Sequence, residues 1–577
     1  MNALRGSMQV LLEGRGPLTL RPADHIATGG EGSLYRAKGT VIKVYTDVTK
    51  MRRDRMDAKV SALADFTHPY IIAPEGLVRD AQQAPIGFYM PFFDGEPLAR
   101  VFTNSYWQRE GFKVDDASQV VARMREAMQY AHGKGALMVD PNELNWIVTR
   151  GGVSSGYVPH ALDVDSWALD SWKPAVIMPS IRDYHATSFT KLSDWFAWGV
   201  VTFQVYTGIH PYKGTLRGFA MNDMVARMQT NASVFRKEVR LNRAVRELST
   251  IPARLLDWYE ATFEQGERTE PPSPFDTGRG VVQVARTLRM VTSAQGALIY
   301  RKLFERVQDP VVEVYPAGVA LLRSGALIQL STQRTIATGV RPGVEVGEVA
   351  GGWVVAGVES EHTALTCYGA QGKEECPLAL GALRMVSGAG RLFALGEQGL
   401  QEVQARLFGA RAVASVGTVW PIMPRATAWF GGVGVMDALG AMHLVVPFGE
   451  RGVTMVRVKE LDSVRVLAGE GSGRIVVLTA VTPQGTYERY TVLFDHAMQT
   501  CQVTVRTVDT PDQNVTVLPK GVVVSIEEDG ELTITVPTSG VVHTVSDKDI
   551  ATDMALTRWG DKVLYVKGGT VWSLEMK

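Results

Sequence analysis

Apolar positions along this chain follow two different rules, and the change comes near residue 300. In the first half, residues 119–132 (QVVARMREAMQYAH) place apolar side chains three and four apart, the spacing of one helix face. Residues 193–207 (SDWFAWGVVTFQVYT) are apolar nearly all round, which predicts a helix buried on every side. Residues 51–66, 222–237 and 242–264 read as further helices. Short strands fall between them at 17–20, 40–45, 146–148 and 158–162.

Beyond residue 310 the helical period disappears. The repeating unit becomes an apolar strand, a tight turn with glycine or charge, and a second strand, at 318–330, 391–403, 522–536 and 562–574. Weaker copies lie at 352–368, 427–447 and 464–493. The turn glycines Gly325, Gly399, Gly530 and Gly569 are spaced at multiples of about 40 residues, and roughly six or seven such units fill the segment. Short antiparallel strands at that period predict a six- or seven-bladed β-propeller over 310–577, with a pair of β-sandwiches as the alternative. Residues 294–309 carry apolar Leu298, Leu303 and Phe304 and read as a helical connector.

A chain of 577 residues exceeds what one core holds, so two or more domains are expected. Sixty basic and sixty acidic residues cancel, so net charge points to neither nucleic acid nor a membrane surface. Three cysteines, Cys367, Cys376 and Cys501, do not form a metal-binding spacing and read as reduced thiols. The sequence opens without an apolar leader and contains no apolar run of the roughly 18 residues that span a bilayer. These features predict a cytoplasmic protein.

Candidate chemistry is concentrated in the first 220 residues. Ala27-Thr28-Gly29-Gly30-Glu31-Gly32-Ser33-Leu34-Tyr35 is a glycine-rich turn whose backbone amides could approach phosphates closely. A hairpin turn with no ligand explains the same residues. Lys43 sits in the strand at 40–45 with apolar neighbours on both sides, a place that asks for an anion. Asp140 precedes Asn145 by five residues in Asp140-Pro141-Asn142-Glu143-Leu144-Asn145, and Asp163 follows the strand at 158–162 in Leu162-Asp163-Val164-Asp165. Two carboxylates and an amide oxygen in this order suit magnesium and proton transfer.

The order and spacing of these segments resemble the protein kinase superfamily. Asp194-Trp195-Phe196-Ala197-Trp198-Gly199 and His210-Pro211-Tyr212-Lys213-Gly214 resemble two further pieces of its helical lobe. The glycine loop, Asp163-Val164-Asp165-Ser166 and His210-Pro211 together look closest to bacterial kinase-like proteins with GGEG loops and DVDS metal motifs. The resemblance covers about residues 20–285 and implies an α+β bilobed kinase-like domain over 1–293. Its N-lobe would span about 1–92 and its C-lobe about 93–293, followed by the connector and the all-β domain.

The resemblance also implies roles. Asp140 and Lys43 would be catalytic, and Gly29, Gly30, Gly32, Lys43 and Met90 would bind ATP. Asn145 and Asp163 would hold Mg2+. Asp165 would be a second carboxylate near the metal, or a surface residue. Three departures stand out. Lys59 falls where the family carries a helix glutamate paired with the strand lysine. Met138-Val139 replaces the usual His-Arg. Met178-Pro179-Ser180-Ile181-Arg182 lacks the glutamate of the peptide-docking segment, leaving Arg268 to pair with Asp183 instead.

Three functions therefore stand. One is an ATP- and magnesium-dependent Ser/Thr-type protein kinase whose propeller recruits a protein partner or substrate. The second is a pseudokinase or nucleotide-binding scaffold. The third is a structural component of a larger assembly such as a virus particle, located in the virion if the chain is phage-encoded. None implies an oligomeric state, and no partner is legible in the propeller-like loops.

Overall fold

The computed structural model describes residues 7–576 except 152–155, 170–171, 173–175, 221–222, 277–297, 371, 410, 451 and 548. The first half pairs a seven-stranded antiparallel sheet with a helical layer that also carries a three-stranded and a two-stranded sheet. The seven strands run in the order Gly16–Leu20, Met8–Leu12, Gly76–Arg79, Pro85–Pro91, Thr40–Tyr45, Gly32–Ala37 and His25–Thr28. Thr40–Tyr45 lies near its middle and all six of its residues are buried, as the apolar run around Lys43 predicts. Its register sets Lys43 opposite Leu34 on one side and Phe88 on the other.

The helical layer is built around Lys191–Thr207 and Val114–Gly133. Trp195, Trp198, Phe203, Tyr206, Val120 and Met124 pack in one core with Tyr259 and Phe263 from the helix Ala253–Phe263. Among the described residues no helix is long and apolar enough to cross a membrane.

Several expected elements differ. The helix expected at 51–66 begins earlier and is split into Val48–Arg53 and Met56–Leu63, because Arg55 takes a left-handed backbone at φ 53°. Of the described residues in the helix expected at 222–237 only Met224–Gln229 is helical. Asn231 turns left-handed at φ 48°, and the Val234 amide donates to the Pro211 carbonyl instead. Of 242–264 only the part after Pro252 is α-helical, with a 3₁₀ turn at Leu248–Thr250. The Arg243 and Ala244 amides are taken by the carbonyl of Glu528 in the second half. A proline also disfavours helix in the residue before it.

The second half is all-β. Among its described residues the single helical piece is the 3₁₀ turn Lys459–Leu461. Seven four-stranded antiparallel sheets follow one another. Turn glycines 325, 399, 530 and 569 all take positive φ, between 77° and 118°, which is what places glycine at those turns. The connector expected as a helix is instead the strand Leu298–Phe304; its first residues, 294–297, lie outside the described set. This strand pairs with Thr570–Met576 at the far end of the chain, burying Leu298 and Phe304 and exposing Arg301 and Lys302. It supplies the fourth strand of the last sheet, so the two ends of the β half meet.

A partly buried carboxylate, Glu345, lies in the first strand of one of these sheets. In Glu345–Val349, Glu345 accepts the Ser387 hydroxyl at 2.6 Å. Burial, reinforced by the charge of Glu313, pushes the Glu345 carboxyl from 4.5 up to about 7. The native state thus keeps a proton that the unfolded chain releases between these values, so this group costs stability as pH rises through the window. Glu345→Gln is expected to unfold at the same temperature as wild type near pH 4. By about pH 8 it should be more stable by roughly 1 kcal/mol, a figure reduced for partial exposure. Paired thermal denaturation at the two pH values checks this.

Candidate functional site

Lys43 is the centre of the site. Its Nζ lies 2.8 Å from Asp163 Oδ1 and 2.9 and 2.8 Å from the two oxygens of Asp165. The Asp165 side chain is fully shielded from solvent, which rules out the surface role, whereas that of Asp163 is 38% exposed. Tyr45, two positions along the same strand face, donates its hydroxyl to Asp165 Oδ2 at 2.7 Å. Burial works against the charge on Lys43, but Asp165 and then Asp163 overcome it and hold the ammonium protonated well above its ordinary range. Asp163 takes a left-handed backbone at φ 54°, ahead of the 3₁₀ turn Val164–Ser166 that carries Asp165.

This arrangement explains Lys59. It lies in the Met56–Leu63 helix, 2% exposed, and donates to the backbone carbonyl of Asp165 at 2.6 Å. Burial lowers its pKa, and the nearby charge of Lys43 adds to that against the pull of Asp165. The helix thus sends a cation to hold the Asp165 backbone, while the Asp165 carboxylate takes the position of ion-pair partner to Lys43.

The loop carrying Asp140 and Asn145 is held by Asp194 at the start of the long buried helix. Asp194 accepts the amides of Met138 at 2.8 Å and Val139 at 3.0 Å, and faces His132 Nε2 at 2.9 Å. Val139 is forced to φ 62°, a costly conformation for a β-branched residue, directly before Asp140. Asn142 Oδ1 caps the amides of Leu144 and Asn145. The Asn145 amide nitrogen donates to the Asp140 carbonyl at 2.9 Å, which leaves its Oδ1 as the atom free to meet a cation. Burial raises the Asp140 carboxyl above its ordinary value against the Met178 and Asn142 hydrogen bonds; the charge of Asp163 adds a smaller push. Asp140 Oδ1 accepts the Met178 amide at 3.0 Å.

The glycine turn closes through the Gly29 amide on the Gly32 carbonyl at 2.9 Å. Gly32 is fixed by packing, because a Cβ there would lie 2.8 Å from the Val44 carbonyl oxygen. A Cβ on Gly30 would meet nothing within 4 Å, and one on Gly29 would meet only the Gly32 carbonyl at 3.9 Å, so there is room beside these two glycines, although the Gly29 amide is taken by Gly32. Met90 sits opposite Val41 in a buried cluster with Phe88 and Leu77, against which Ile147 and Leu162 pack. Arg268 grips Asp183 with two hydrogen bonds of 2.7 and 2.8 Å, the pairing expected in place of the missing glutamate.

The structure therefore brings together Lys43, Asp163 and Asp165, and sets Asp140 and Asn145 on one braced loop. Sequence reasoning missed Tyr45 and the pairing role of Asp165. It also missed the second half's contacts with this region: the Thr28 amide on Asp437 at 2.9 Å and the Tyr487 hydroxyl on Glu143 at 2.9 Å. Magnesium takes few protein oxygens and completes its shell from phosphate and water, so a carboxylate such as Asp163 and an amide oxygen such as that of Asn145 are of the kind that could hold it. Among the described residues no group of three or more His, Cys, Asp or Glu side chains is arranged to hold a metal ion. No family model matches this sequence, and no curated protein matches it.

Proposed function

We propose that the first half is a bilobed protein kinase-like domain that transfers phosphoryl groups from ATP to a Ser/Thr hydroxyl. In this reading the all-β half is a seven-bladed propeller that engages a protein partner. The observation that carries the reading is the Lys43–Asp163–Asp165 cluster beneath an open glycine turn. Lys43 neutralises phosphate oxygens while Asp165 keeps it aimed. Asp163 and Asn145 hold magnesium, which supplies positive charge for the phosphates when bound. Asp140 takes the proton of the acceptor hydroxyl, and its raised carboxyl is a stronger base than an ordinary aspartate. Met90 and its apolar neighbours form a floor suited to a nucleobase.

A nucleotide-binding scaffold without transfer is the second reading. It is favoured by the Met178 amide sitting on the Asp140 carboxylate, where an acceptor hydroxyl would have to bind. Incubation with labelled ATP and Mg2+ separates the two. Label moved to the protein or an added acceptor, and lost in Asp140→Asn, supports the kinase. ATP binding with no label transfer supports the scaffold.

A further inference from the structure

The two halves meet beside Asp140, where a turn of the second half rests on the 178–180 segment. Residues 482–486 form a tight turn, closed by the Thr482 amide on Thr486 and the Gly485 amide on Thr482, both at 2.9 Å. Gly485 has φ 76° and rests directly on Met178 and Ser180: a Cβ there would overlap the Ser180 side chain and lie 2.9 Å from Met178 Sδ. Ser180 is held from the other side by His210, whose Nε2 is 2.7 Å from the Ser180 carbonyl. The Met178 amide in turn occupies Asp140 Oδ1.

Beside the turn, Tyr487 reaches Glu143 of the same loop, and Leu144 packs against the cluster of Leu467, Val481, Tyr487 and Val508. Lys213 donates to the carbonyls of Val508 and Asp509 at 3.1 and 3.0 Å. The second half also holds the sheet layer, through Thr28 on Asp437 and Arg21 on Glu397 at 3.1 Å.

We propose that the β half is a cover for the acceptor side of the site, with the 482–486 turn pressing the 178–180 segment onto Asp140 until the turn is displaced. The inference rests on the phosphotransfer reading above. An acceptor hydroxyl must come within hydrogen-bond reach of Asp140, and the Met178 amide fills one oxygen of that carboxylate. The contact also carries its own cost. Among the described residues Glu143 Oε2 and Ser180 Oγ are buried there with no hydrogen-bond partner, and Lys213 is buried with carbonyls as its hydrogen-bond acceptors. Buried polar groups left unpaired weaken a contact, so this one opens at less cost than an apolar interface of the same extent.

Two full-length variants test the cover. Gly485→Asn tolerates the left-handed backbone yet collides with Ser180, and Tyr487→Phe removes only the hydroxyl on Glu143. Both are expected to raise label transfer from ATP to dephosphorylated casein by about fivefold or more at low acceptor, the lower end of ordinary coupling. The gain should appear as a lower acceptor KM with kcat nearly unchanged. The amides of Val176, Ile177, Met178, Ser180 and Ile181 should exchange with deuterium faster, and the ATP-induced thermal shift should match wild type. Where wild type itself transfers label, unchanged exchange, or faster exchange with no gain in transfer, overturns the cover and leaves the kinase reading standing. An ATP shift with no transfer by wild type or variants overturns the cover together with the kinase reading. A wild-type protein with no ATP-induced shift overturns both.

Discussion

Asp165→Ala is expected to lower the unfolding free energy by about 3–5 kcal/mol, the ordinary consequence of removing one partner from a buried ion pair. Three contacts vanish together: both oxygens that face Lys43, and the acceptor for the Tyr45 hydroxyl. Lys43, 9% exposed at its side chain, would then rely on Asp163, which is four times more exposed and screened by water. The lost carboxylate also removes the strongest pull holding Lys43 charged. Asp165→Asn should behave similarly, since it keeps the shape and loses the charge. The pair Lys43→Met with Asp165→Leu should recover most of the loss, because an apolar pair of similar volume carries no desolvation cost. Denaturant midpoints for the four proteins check the set. A loss below about 1 kcal/mol for Asp165→Ala, the value of a surface pair, would show that this cluster is not the anchor described.

The second large effect is on chemistry rather than stability. Asp140→Asn is expected to slow phosphoryl transfer by about 10²–10⁴-fold while leaving ATP binding and folding as they were. Asparagine keeps an oxygen for the Met178 amide, so the segment stays in place and only the base is lost. Asp163→Asn should instead remove transfer and the magnesium dependence of nucleotide binding together. Measuring label transfer and nucleotide affinity side by side separates these roles. Equal transfer by wild type and Asp140→Asn would remove Asp140 from the chemistry.

How much of this was readable in the sequence depends on whether the cause was local. The strand at 40–45 and the helix at 191–207 were legible because their apolar patterns are set by their own burial. The glycines of the hairpin turns were legible because left-handed φ demands them. The strand at 298–304 was not, since its partner lies at the other end of the chain and a seven-residue apolar pattern fits either state. The helix expected from residue 242 failed for the same reason: the carbonyl that claims its first amides belongs to Glu528.

In the site, the spacing of their segments singled out Lys43, Asp140, Asn145 and Asp163, and the fold pairs Lys43 with Asp163 and ties Asn145 to the Asp140 backbone. Asp165 was left undecided because its role depends on a strand and a helix more than one hundred residues earlier. Lys59 departs from the motif that the resemblance implies, and in the fold it donates to the backbone carbonyl of Asp165. The carboxylate reaches Lys43 from the loop after Asp163, and the helix contributes a donor to that loop.

The central claim is that this cluster receives ATP with magnesium, and a thermal-shift titration tests it most directly. A ligand that binds only the native state raises its stability with concentration, by about 2.7 kcal/mol at one hundred times Kd. Wild-type protein should show a rise with ATP that grows when Mg2+ is added, and Lys43→Met and Asp163→Asn should lose it. A flat titration for wild type, with and without Mg2+, would contradict the account.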